Sequence, residues 1–279
     1  MSVTRGSVAI VGAAESDLDA VAAGMSPIDL MAQGVDRALR DAGLGLRNVD
    51  ALFCATTQAR TSALSLAEYL GLPDAYTDST IVGGSSFEVH VAHAHAALEA
   101  GLCSVAVVAY GSTQRTVGRR AASAREFNPY ETPFRPFLPA SAYALAASRH
   151  MHEYGTTREQ MAEVAVAARA WALLNPAAWE KQPLTIADVL NARPISDPFT
   201  VRDCCLVTDG GGAIVLARAD LAEHLRHAPV YVLGSGQSIT HASISSMPSL
   251  TRTGAVESGA WACQAAGGEA VGDRRAGAV

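Results

Sequence analysis

Residues 81–113 read IVGGSSFEVHVAHAHAALEAGLCSVAVVAYGST, a tight turn, a helix and a buried strand in succession. Gly83 and Gly84 can take positive φ or admit another backbone at close range. Ser85 and Ser86 follow where a side chain can accept the first free N–H groups of a helix. From Phe87 to Ala100 the side chains are mostly apolar or small, without Pro or Gly, and Gly101 suits a helix stop. Residues 105–109, VAVVA, form a continuous apolar run, the pattern of a strand covered on both faces. A reacting group at Ser85 would sit at a helix N-terminus, where spare N–H donors and the positive dipole end face a developing oxyanion. The other reading is that the serines only cap.

Outward from this stretch the chain alternates strand and helix. Residues 8–11, VAIV, predict a strand ending in Gly12-Ala13-Ala14. Ser26 before Pro27 is a helix start with Pro in the first turn. That helix runs to about Ala42 and stops at Gly43, with Ile28, Leu30, Met31, Val35, Ala38 and Leu39 as its apolar face. Residues 50–55 predict the next strand, and residues 65–70 a helix ended by Gly71. Such alternation implies an α/β protein with a mainly parallel sheet and helices on both faces. After Gly111 the character changes. Arg115, Arg119, Arg120 and Arg125 are followed by Pro129, Pro133, Pro136 and Pro139, a long irregular excursion of the kind that carries function or moves. Helices resume at about residues 141–154 and 157–174, the second with Thr157-Arg158-Glu159-Gln160 as a capping start and Thr156 or Thr157 as the cap. Asp197-Pro198 marks a turn, and Gly210-Gly211-Gly212 leads into a buried strand over 213–217. Because this glycine run precedes a strand and opens no helix, it is not a dinucleotide fingerprint, and close backbone packing is expected there. Finally, residues 8–16, VAIVGAAES, resemble residues 230–238, VYVLGSGQS, and each copy is followed by a helix with an Ala-Gly end. Two similar halves would explain this, with chance similarity of two strand starts as the alternative.

Composition narrows the function classes. The 279 residues are 49% hydrophobic and 17% charged, enough for a substantial core. A net charge of -6 gives no support to nucleic-acid binding through a basic surface. The five cysteines form no C-x-x-C pair, and Cys54 and Cys103 sit in apolar runs, as buried free thiols do in a reducing compartment. No signal-peptide core opens the chain and no 18-residue apolar run exists, so a cytoplasmic, membrane-free protein is expected. His90, His93 and His95 form H-x-x-H-x-H on the central helix. His90 and His93 share a face and could ligate a metal. No third ligand is placed by spacing, so no metal site is expected.

Four segments in order resemble the thiolase superfamily: GGSSFEVHVAHAHAALEAGLCSVAVVAYGSTQR, RHMHEYGTTREQMAEVAVAARAWALLNP, ISDPFTVRDCCLVTDGGGAIVLARADLA and SSMPSLTRTGAVESG. The match is closest to the sterol-carrier-protein-type thiolases and the thiolase-like lipid-transfer proteins, including aldolases of steroid side-chain breakdown. The resemblance implies two β-α-β-α-β-α-β-β halves in five layers, a helical insertion in the first half that covers an acyl-CoA, and a homodimer. On that basis residues 1–110 and 195–227 make the first half, 111–194 the insertion, and 228–279 the start of a second half. Coenzyme A thioesters are then the expected substrates, with no bound cofactor. Arg115, Arg119 and Arg120 could meet CoA phosphates, since guanidinium pairs well with phosphate; a solvated basic loop is the other reading.

Departures from the family pattern set the expected chemistry. The family's nucleophilic Cys falls at Gly84, or at Ser85 with a one-residue slip, and the turn holds no Cys. Cys103, at the far end of the helix, cannot substitute. A serine hydroxyl needs a strong base to act where a thiol does not. The Cys-less lipid-transfer-type aldolases share this lack; they cleave a β-hydroxyacyl-CoA without an acyl-enzyme and work with a small zinc-ribbon and OB-fold partner. Retro-aldol cleavage is therefore expected ahead of acyl transfer. The family's remaining catalytic groups lie in the second half, of which one strand and one helix are expected here, so none is carried over. The expectation is a C-terminally incomplete chain with impaired turnover and an uncovered apolar sheet face. A non-catalytic subunit or inactive fragment is the alternative.

Overall fold

The computed structural model describes residues 4–117 and 128–268. In chain order the first elements are β1 (Val8–Glu15), α1 (Pro27–Ala42), β2 (Ala51–Cys54), α2 (Ser62–Leu70), β3 (Tyr76–Asp78), α3 (Ser86–Glu99), β4 (Val105–Ser112) and α4 (Gln114–Val117). Then come α5 (Ala140–Tyr154), α6 (Arg158–Leu174), α7 (Ile186–Leu190), β5 (Pro194–Ser196), β6 (Phe199–Thr200), β7 (Gly210–Arg218), α8 (Ala219–Ala222), β8 (Val230–Tyr231) and α9 (Ala255–Ala265). They form two compact units. One comprises Met1–Ala124, Val207–Ser238 and Ala255–Val279, the other Arg125–Leu206 and Ile239–Gly254.

The first unit is built on a six-stranded sheet in the order β3-β2-β4-β7-β1-β8. β2 pairs in parallel with β3 and β4, but β7 is antiparallel to both β4 and β1. The sheet is therefore mixed, where strand–helix alternation predicted a mainly parallel one. The reason is the excursion after β4. Ser112 pairs with Gly210, so the chain leaves and re-enters at one point and β7 runs back along β4 as the second arm of a long hairpin.

Two apolar layers flank this sheet. Along β2 and β4 the side chains alternate: Leu52, Cys54, Val105 and Val107 join α1 and α2 on one face, while Ala51, Phe53, Ala106 and Val108 join α3 on the other. α1 starts with a capping box, Ser26 Oγ accepting from Asp29 N and Asp29 reciprocating, and ends at Gly43 with φ 75°. The three glycines let the layers close. A Cβ on Gly211 would lie 2.2 Å from the Tyr110 carbonyl, and one on Gly34 of α1 would lie 2.8 Å from Gly212. Tight backbone packing, as read from the sequence, is what this run provides. Most strand residues are covered within the chain itself. Val8, Val107 and Val215 are fully buried, and the α3 face opens around Ile10, Tyr110 and Ile214 and at the Tyr76 edge.

The second unit carries α5, α6, α7 and the β5–β6 hairpin. Thr157 and Gln160 form the expected capping box on α6. Asp197-Pro198, at the hairpin turn, is a cis peptide bond. Arg158 holds Asp203 through two nitrogens at 2.8 and 3.1 Å, and Asp203 also accepts from Thr200. The buried apolar side chains here are small: Ala144, Ala147, Ala162 and Val189.

The suspected repeat has a physical counterpart. A Cβ on Gly12 would lie 2.4 Å from the Ala38 carbonyl and 2.9 Å from the amide nitrogen of Ala42, at the end of α1. One on Gly234 would lie 2.6 Å from both the Ala262 carbonyl and the Ala266 amide nitrogen, at the end of α9. Gly43 and Gly267, the residues that follow, have φ of 75° and 74°. β8 itself is short and pairs at the edge of the first sheet, beside β1.

Candidate functional site

The turn from β3 to α3, residues 79–86, is held from several sides. Ser79 Oγ accepts from the Ala63 amide at the start of α2. Asp78 Oδ1 accepts from both the amide and the hydroxyl of Thr80 at 2.8 Å. Ser86, fully buried, accepts from the Val82 amide at 2.9 Å and donates to the Gly83 carbonyl at 2.7 Å. Gly83 stands at φ 88°, where an L side chain would be strained. Gly84 and Ser85 form the exposed tip. Ser85 occupies the N-cap position but makes no side-chain cap bond. Of the two serines read as caps, only Ser86 has its hydroxyl engaged in the turn, and the Ser85 hydroxyl faces out where a reacting group could meet it.

Of the thiols in the first unit, Cys263 on α9 is exposed, and the two in the core, Cys54 and Cys103, are not poised to react. Burial pushes the Cys54 thiol up to about 12, and burial followed by the nearby Asp50 pushes Cys103 up to about 11. Both are buried and hence inert at neutral pH. Phe87, on the first turn of α3, opens onto a groove of about 540 Å³ lined also by Ala13, Glu15, Tyr110 and Ile214.

The histidines of α3 are each committed to a neighbour. His90 is fully buried, with Nε2 2.9 Å from the Thr80 carbonyl and its ring near Phe53 and Phe87. His93 Nδ1 lies 2.6 Å from Asp78 Oδ2. His95 Nε2 reaches Ser7 Oγ and the Thr4 carbonyl at 3.0 and 3.3 Å. By spacing, His90 and His93 share a face with no carboxylate placed beside them. The tertiary partners are a strand carboxylate and loop carbonyls, which spacing along one helix does not reveal. The sequence signal for Asp78 and Thr80 is the Asp-x-Thr that follows the strand, an Asx-turn pattern.

Arg115 sits in α4, just after β4, where a second carboxylate organises the chain. Asp209 is almost fully buried and accepts from the amides of Arg115, Thr116 and Val21 at 2.7, 3.1 and 3.2 Å, and from the Thr116 hydroxyl. Burial pushes its pKa up, but these donors outweigh burial and hold it below the usual carboxylate range. The Arg115 guanidinium is exposed and donates to the Val207 carbonyl at 3.0 Å. Arg119 and Arg120 lie outside the described residues.

No protein-family model matches the chain. It is 34% identical over 251 residues to a steroid side-chain-cleaving aldolase of Thermomonospora curvata, covering 85% of this chain and 63% of that one. It is also 34% identical over 245 residues to a 17-hydroxy-3-oxo-4-pregnene-20-carboxyl-CoA lyase of Mycobacterium tuberculosis, covering 83% and 63%. The chain thus spans somewhat under two thirds of the length of these relatives. Among solved structures, an Ltp2-ChsH2(DUF35) aldolase superposes with a TM-score of 0.83 at 28% identity, covering 95% of this chain and 71% of that one.

Proposed function

Since this chain belongs to the thiolase superfamily, in its sterol-carrier-protein-type, thiolase-like branch, we propose that it acts on acyl-CoA thioesters by retro-aldol cleavage of a carbon–carbon bond. In this reaction a base takes the proton of the β-hydroxyl group and the Cα–Cβ bond breaks. Its electron pair enters the thioester as an enolate, which takes a proton at Cα. The products are a carbonyl compound and a shortened acyl-CoA, and no acyl-enzyme forms. The chain's own contribution is the turn at Gly84 and Ser85. The Ser86 N–H donates to the Gly83 carbonyl, and the amides that follow it in the first turn of α3 have no intrahelical acceptor, so with the helix dipole they favour the enolate oxygen.

One observation carries this reading: the turn that holds a nucleophilic Cys in thiolases is here built of Gly83, Gly84, Ser85 and Ser86, with the core thiols of Cys54 and Cys103 buried and pushed up. The aldolase and lyase relatives support it further. A steroid or comparably bulky acyl chain is the substrate class they suggest. Arg115 is the described candidate for a CoA phosphate. A zinc-ribbon and OB-fold protein is the proposed partner, in keeping with a similar structure whose name joins two proteins. Homodimerisation is proposed through β3. Among the described residues this edge strand pairs only with β2, and Tyr76 and Ile81 are 43% and 53% exposed beside it.

The test is incubation with 17-hydroxy-3-oxo-4-pregnene-20-carboxyl-CoA, with and without a partner of that class, followed by mass spectrometry of both nucleotide and protein. Release of a shortened acyl-CoA with the protein mass unchanged is expected. An acyl adduct on Ser85 or Ser86 would overturn the retro-aldol reading. Binding without release would identify a non-catalytic subunit.

A further inference from the structure

We propose that His90 and the Asp78–His93 pair are positioning residues that latch the exposed Gly84–Ser85 tip to the helix it opens. The proposal rests on the reading of that tip as the reacting site. Asp78 ends β3, and its two oxygens divide their work. Oδ1 receives the Thr80 amide and hydroxyl, and Oδ2 receives His93, two turns into α3. Thr80 in turn gives its carbonyl to His90 Nε2, one turn into α3. Strand end, turn and helix are thus joined in one chain of four hydrogen bonds, and Ser86 closes the remaining part of the turn onto Val82 and Gly83. A carbonyl only accepts, so Nε2 of His90 carries the hydrogen and Nδ1 is left as a bare lone pair.

Among the described residues, that Nδ1 is buried without a hydrogen-bond partner. A fully buried imidazole with one unsatisfied nitrogen costs free energy, and an aliphatic side chain of similar size would fill the space between Phe53 and Phe87 without that cost. What an aliphatic side chain would not do is hold the Thr80 carbonyl. Burial holds the His90 pKa below the usual imidazole range, against the opposing pull of Asp78 and the Thr80 bond, so the donor tautomer persists at neutral pH. The titratable groups facing it are Asp78 and His93; the other rings packed on it, Phe53 and Phe87, carry no charge.

Two measurements on the full chain test this. Hydrogen exchange of the 81–87 segment reads the turn directly, and acyl-CoA affinity reads the site. In His90→Leu the exchange is expected to accelerate about tenfold or more while the melting temperature holds or rises. Acyl-CoA affinity should fall by about tenfold, which is about 1.4 kcal/mol. His90→Gln, whose amide nitrogen can reach the same carbonyl, should restore both. His93→Ala, at a partly exposed position, repeats the loosening should His90→Leu fail to fold. Unchanged exchange in both loosened variants would overturn the proposal, as would a His90→Gln as impaired as His90→Leu. If the wild-type chain binds no acyl-CoA the functional reading fails, and the exchange data still decide the latch.

Discussion

At the scale of single residues, the two adjacent serines of the central turn are not equivalent. Ser86 is buried and satisfies both Val82 N–H and the Gly83 carbonyl, whereas Ser85 is exposed and caps nothing. Ser86→Ala therefore leaves the part-buried Val82 N–H and Gly83 carbonyl without their partner and is expected to cost about 1 kcal/mol in urea unfolding. Ser85→Ala should stay within about 0.5 kcal/mol of wild type while lowering acyl-CoA affinity or turnover. Asp209 sets a pH dependence. Its folded pKa lies below the unfolded value, so the unfolded chain takes up the proton first as pH falls. The resulting stability is complete above about pH 3.9 and is lost as pH drops toward the native pKa. Between pH 7 and pH 3, wild type should lose more stability than Asp209→Asn; equal losses would show that the donors around Asp209 do not favour its charged form.

Among the elements, the layers close because certain backbones touch. Gly12 of β1 against the end of α1, and Gly234 against the end of α9, leave no room for a methyl group. Gly12→Val and Gly234→Val should each destabilise by about 1–3 kcal/mol or more, since the atoms in the way are backbone. Gly84→Ala, with nothing within 4 Å and no positive φ, is the neutral control for stability. Thermal melts of the three variants decide whether the second strand–glycine–helix contact is as firm as the first. The antiparallel course of β7 belongs to this scale too: a long excursion that starts and ends at one edge leaves the returning strand only the reverse direction.

For the molecule as a whole, the two units differ in what they bury. The first encloses Phe53, Leu30, Met31, Leu52, Leu66 and Leu216, and the second, among the described residues, buries only Ala144, Ala147, Ala162, Val189 and Thr200, with the Arg158–Asp203 pair partly buried. Its large apolar groups are outside: Tyr130 and Phe134 are each 82% exposed, and Trp171 74%. Lower local stability follows for the second unit. Limited proteolysis should cut first within residues 128–206, and amides of β4 and β7 should exchange more slowly than those of α5 and α6. Protection of α6 equal to that of β4 would contradict this. Among the described residues no helix is long and apolar enough to cross a membrane.

The sequence alone determined the longer helices and several of their ends, because proline starts, capping residues and positive-φ glycines act over a few residues: Ser26 before Pro27, the Thr157–Gln160 start, Gly43 and Gly71. It also determined the absence of a cysteine from the turn before α3, which is a matter of composition. Likewise, the close packing at Gly210-Gly211-Gly212 was legible, since only glycine tolerates it. Tertiary structure decided the rest. Which serine works in the turn depends on where the Val82 amide lies, and which histidine is a latch depends on Asp78 and Thr80, on another element. Sheet direction depends on where the excursion returns. These are contacts between residues far apart in sequence or on different elements, and local periodicity carries no information about them.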